Sequence, residues 1–66
     1  MRDINRIDTF CKELASQWKR YPDFRFGQFI GNVFGIIQDK HGDVFFPEDD
    51  KMIEYIKEAM DEMLGK

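Results

Sequence analysis

Sixty-six residues allow one domain, 1–66, and a chain this short is marginal unless a disulfide, a metal, very good helix packing or self-association supports it. A single cysteine, Cys11, excludes an internal disulfide, and with only one histidine a structural zinc site is a poor fit. The net charge of −3 is mild but divided: residues 1–25 carry six basic and four acidic side chains, residues 39–66 four basic and nine acidic ones.

The first helix is expected from about Asp3 to Tyr21. Ile4, Ile7, Phe10, Cys11, Leu14, Ala15, Trp18 and Tyr21 recur at spacings of three and four, which places them on one stripe. Cys11 is expected in the core for that reason. Asp3 is the expected N-cap, and Pro22 stops the helix by forcing Tyr21 out of the helical region.

The second helix starts near Phe24, with Asp23 as its cap, and runs to Phe34 or beyond. Phe26, Phe29, Ile30, Val33, Phe34 and Ile37 form a broad apolar stripe. Beside it lie Gly27, Gly31 and Gly35, four residues apart and therefore on one face. Arg25, Gln28 and Asn32 make a narrow polar strip, with Gln28 and Asn32 spaced to bond each other. So little polar surface predicts a helix buried on most sides.

Asp39 to Asp43 reads as a turn. Val44-Phe45-Phe46 reads as an extended apolar segment packed on the helices, with a short hairpin onto Gly35–Gln38 as the alternative. Pro47 opens the third helix, whose first-turn carboxylates Glu48, Asp49 and Asp50 complement the helix dipole. Phe46 is placed to staple onto Met52 or Ile53. Met52, Ile53, Ile56, Ala59, Met60, Met63 and Leu64 form the buried stripe, and Gly65 ends the helix. The expected fold is all-α, a compact three-helix domain with a possible short β-hairpin after helix 2.

Three glycines in one helix cost roughly 1 kcal/mol each relative to alanine. Close approach of another backbone would offset that. Gly27, Gly31 and Gly35, bordered by Gln28 and Asn32, are therefore the expected interface of a homodimer; intrachain packing of helix 1 or 3 on the glycines is the rival. His41 with Asp39 and Asp43 lacks the calcium-loop pattern, because Val44 stands where the glycine belongs. There is no nucleophile elbow, phosphate-binding loop or dinucleotide pattern. The expectation is a protein that is not an enzyme and takes no cofactor and no metal.

The longest uncharged run, Phe26 to Gln38, is too short to span a bilayer. The free thiol and the lack of a secretory pattern point to the cytoplasm. Arg2, Arg6, Lys12, Lys19, Arg20 and Arg25 are the candidates for nucleic-acid contact. They are interleaved with acids, and the aromatics fall on core faces, so nucleic acid is disfavoured.

The segments Arg6-Ile7-Asp8, Trp18, Tyr21 to Ile30, Asn32 and Asp43 to Asp50 together resemble a family of short proteins from bacteria and their phages. Its marks are a tryptophan, a Pro-Asp-x-Arg-x-Gly-Gln segment and an aromatic stretch ending in Glu-Asp-Asp. No catalytic assignment comes with that resemblance. It implies a phage accessory protein, one that inhibits a host defence system of the CRISPR, Thoeris, Gabija or Hachiman type by binding a defence protein. The expected partners are thus a second copy and a larger protein target. The acidic face of helix 3 (Glu54, Glu58, Asp61, Glu62) and the Asp39–Phe46 loop, with His41 and Asp43, are the expected partner contacts. The alternatives are a nucleic-acid or transcriptional accessory protein using the basic face of helix 1, or a structural subunit.

Overall fold

The computed structural model describes residues 3–65. Three helices follow one another: α1 (Asn5–Trp18), α2 (Phe26–His41) and α3 (Asp49–Met63). Among the described residues there is no strand, so the fold is all-α and the expected hairpin is absent. The segment assigned to its first strand, Gly35–Gln38, is the continuing α2. Val33 and Ile37, one turn apart, are both buried there, and the helix satisfies its own backbone where a lone hairpin would be marginal.

Local chemistry sets the ends. Asp3 Oδ1 accepts the Asn5 N–H at 2.9 Å, so Asp3 holds the entrance of α1, although Ile4 occupies the N-cap position. At the other end the backbone tightens into i→i+3 bonds, Arg20 N–H to Gln17 O and Tyr21 N–H to Trp18 O. Pro22 has no N–H to continue the ladder, and α1 closes three residues before Tyr21.

α2 begins two residues later than expected. Gln28 Oε1 accepts the Arg25 N–H at 2.9 Å, so Gln28 organises the entrance in place of Asp23 and is not bonded to Asn32. Gly42, at φ 89°, stops the helix in a conformation other residues rarely adopt, its N–H reaching Gln38 O. Gly65, at φ 74°, follows α3 in the same way, as the sequence led us to expect.

α3 is the shared wall, packed on both α1 and α2. Arg6 pairs with Asp49 near the start of both helices, and Arg20 with Asp61 near their ends, so α1 and α3 run in the same direction. The buried apolar side chains among the described residues all come from α2 and α3: Phe29, Val33, Ile37, Met52, Ile56, Ala59 and Met60. Phe10, Leu14 and Trp18 of α1 only half-bury against this cluster. Cys11, expected in the core, is exposed, because the face of α1 turned inward is rotated toward Phe10, Leu14 and Gln17. Ile4 and Ile7 are exposed for the same reason.

Trp18 joins the pieces. Its ring stacks on Phe29 at 5.5 Å between centroids, and its Nε1–H donates to Phe24 O at 2.9 Å. At ~0.05–0.15 kcal/mol per residue, a chain this size is stable by only about 3–10 kcal/mol. Phe29→Ala removes a side chain with no exposed surface and should cost about 3–5 kcal/mol. The expected outcome is a largely unfolded chain at 37 °C by circular dichroism; a cooperative melt within a few degrees of wild type would contradict this account of the core.

Candidate functional site

The α2 helix has two unlike faces. Phe29, Val33 and Ile37 face the core. Gly27, Gly31 and Gly35 lie on the opposite side, and all three are exposed. A Cβ added at any of them would meet no atom within 4 Å. The expectation that α2 is buried on most sides is therefore wrong for the single chain. Neither α1 nor α3 packs on the glycines, which removes the intrachain rival. Gln28 and Asn32 flank this face and are exposed. From Phe26 to Gln38 the helix carries no charge.

The expected partner-contact residues are arranged differently. Glu58 Oε1 lies 3.0 Å from His41 Nε2 and 3.7 Å from Lys40 Nζ. Glu62 pairs with the same Lys40 at 2.6 Å, and Asp61 pairs with Arg20 at 2.5 Å. Glu54 pairs with Lys51 along α3. His41 also stacks flat on Tyr55, with ring centroids 3.9 Å apart. Glu54, Glu58, Asp61, Glu62 and His41 thus hold charge partners within the chain. These exposed pairs contribute little individually, and a partner would have to exchange them. Asp43 accepts the Phe45 N–H and shapes the turn after α2.

The electrostatics follow from this geometry. Hydrogen bonding from His41, then the charges of His41 and Lys40, holds the Glu58 carboxyl below its usual value of 4.5. Hydrogen bonding to Glu62 raises the Lys40 ammonium above its ordinary value.

Some side chains sit differently from their expected packing. Phe45 and Phe46 are 82% and 75% exposed and pack edge-to-face on each other at 5.1 Å. Only Val44 of that segment turns toward the core, so Phe46 is not a staple on Met52 or Ile53. Gln17 is buried, with its Oε1 satisfied by Arg20 at 2.8 Å, and Arg20 in turn reaches Asp61 of α3, a tertiary link with no sequence signal.

A groove of about 530 Å³ lies between the N-terminal halves of α1 and α3, floored by Phe10 and Ile53. Among the described residues no three His, Cys, Asp or Glu side chains converge as a metal site. Nor, among them, is any helix long and apolar enough to cross a membrane.

Comparison with protein-family models, curated proteins and solved structures gives no match. The resemblance to short bacterial and phage proteins rests on the sequence motifs alone.

The Glu58 pairing has a pH signature. Its folded-state value is lowered, so its contribution to stability is present above about pH 4.5 and is lost as pH falls through the lower folded value. In His41→Ala the Glu58 carboxyl should titrate closer to 4.5, measured by NMR of the side-chain carboxyl. An unchanged midpoint would show that His41 does not hold Glu58.

Proposed function

We propose that this chain is a non-enzymatic protein-interaction module that pairs with a second copy through the glycine face of α2. The observation that carries this reading is the open, uncharged face at Gly27, Gly31 and Gly35. Each glycine weakens the helix by roughly 1 kcal/mol, and no contact within the chain offsets it. A second backbone laid against these positions would offset it through close packing. Identical smooth faces meet about a two-fold axis, where Gln28 and Asn32 of each copy border the contact.

The flanking charges favour an antiparallel pair. Arg25 and Asp39 lie seven residues either side of Asn32, on the same flank of the glycine face. Both are exposed, and neither has an ion-pair partner among the described residues. In an antiparallel pair equivalent flanks adjoin, so each Arg25 would face an Asp39 of the other copy. A parallel pair would put the equivalent flanks on opposite sides of the contact, and the Arg25–Asp39 pairing would be lost.

Such a dimer presents every other surface twice, which suits steric blocking of a larger protein. Inhibition of a bacterial defence protein, the role the sequence resemblance implies, is the form we propose for it; its test is restored phage growth in cells carrying one defence system at a time. The nucleic-acid reading loses ground here. Arg6 and Arg20, two of its six candidate residues, are neutralised by Asp49 and Asp61.

Light scattering behind size exclusion tests the dimer. Wild type should show twice 7.9 kDa, and Gly31→Leu the monomer mass with the helical content kept, since the single chain has room for that side chain. Arg25→Asp should weaken the dimer, and adding Asp39→Arg should restore it. A wild-type monomer at all concentrations would sink this reading.

A further inference from the structure

We propose that the groove between α1 and α3 is a receptor for an arginine or lysine side chain of a partner protein. It deepens the interaction-module reading by naming the partner's chemistry. Its floor is apolar, made by Phe10 and Ile53, both half-buried against the core. Its walls carry the carboxylates of Asp3, Glu13, Asp49 and Asp50 against one cation, Arg6, which is bound to Asp49. Among the described residues the lining is thus net negative by three charges, four acids against one base.

That imbalance differs from the rest of α3. The Glu54, Glu58, Asp61 and Glu62 carboxylates all have cations of this chain beside them. In the groove, among the described residues, Asp3 and Asp50 accept from neighbouring backbone N–H groups, those of Asn5 and Lys51. Glu13 has no ion-pair partner among the described residues. Lys51, next to Asp50 in the sequence, pairs with Glu54.

A volume of about 530 Å³ falls within the range of small-ligand clefts. An apolar floor under acidic walls fits a side chain that is itself apolar along its stem and cationic at its tip. Arginine fits best, because its planar fork bonds carboxylates in pairs and tolerates partial desolvation better than an ammonium. An anionic ligand is excluded by charge, and a purely apolar one leaves the carboxylates facing it without hydrogen bonds.

The test uses phenethylguanidinium, an apolar stem carrying a guanidinium, against the ¹⁵N-labelled full chain. Amide shifts should concentrate in Thr9–Glu13 and Asp50–Ile53, with millimolar affinity for a ligand of this size. Raising salt from about 0.02 M to about 0.3 M should weaken binding. The E13Q/D50N variant, with its helical content checked, should bind about three- to tenfold more weakly. Phenethyl alcohol, the neutral analogue, should not shift these amides.

Equal binding of the alcohol would overturn the proposal, as would shifts elsewhere on the chain or none at 20 mM probe, a concentration of about ten times the expected Kd. Spermidine giving the same shifts at lower concentration would assign the groove to a free polyamine and overturn the protein-borne reading. None of these outcomes depends on the mass of the chain in solution, so failure here and failure of the dimer are separately visible.

Discussion

The apolar face of α3 is the constraint on which everything else depends. Ile56, Ala59 and Met60 are buried because α1 and α2 cover them from two sides. Those two helices barely meet except where Trp18 stacks on Phe29 and approaches Phe26. Without α3 neither has a wall to bury against, and isolated helices of 14 and 16 residues are marginal in water. The coverage is unequal. α2 supplies three fully buried apolar side chains and α1 none. α1 is instead held by half-buried Phe10, Leu14 and Trp18 and by an ion pair near each end. This is why Ile4, Ile7 and Cys11 lie in the open on a helix whose sequence reads as amphipathic.

The same arrangement explains how charge is distributed. Because α1 runs alongside α3 in the same direction, basic residues of the chain's first part meet acidic residues of its last part. Arg6 finds Asp49 and Arg20 finds Asp61, and from the other side Lys40 finds Glu58 and Glu62. The dipolar sequence is folded back on itself, and much of the imbalance that seemed available to an outside partner is cancelled within the domain. What is left concentrated is the acidic lining of the α1–α3 groove, where two helix N-termini lie at one end and draw carboxylates to themselves.

Much of the architecture was legible from residue spacing. The stripe Met52, Ile56, Ala59 and Met60 follows helical spacing and is buried, and Gly65 stands where α3 stops. Pro22 and Pro47 correctly marked the two connections. The failures have a common cause. Gly35, Asp39 and His41 read as punctuation because their local propensity is weak, whereas burial of Ile37 and the contacts of Lys40 and His41 with α3 carry the helix onward to His41. Cys11 is exposed and Gln17 buried for a similar reason. A stripe in sequence fixes which residues share a face, but the rotation of that face toward the core is set by the neighbouring helices.

The glycines show where such reading stops and where the fold adds information. Spacing alone placed Gly27, Gly31 and Gly35 on one face but left open whether α1 or α3 occupied it. The folded chain leaves that face clear, and with it goes the ordinary explanation for three glycines in a helix. A helix can carry weak formers when packing on its other face is strong, and Phe29, Val33 and Ile37, with 1% exposure or less, supply that packing. Tolerance is therefore physically possible with no partner at all. Tolerance alone, however, does not account for an exposed helix face that is also uncharged for thirteen residues and bounded by Arg25 and Asp39. An ordinary solvated face would carry charge. The pairing of smoothness with missing charge is what turns the face from a tolerated weakness into a surface shaped for a second copy.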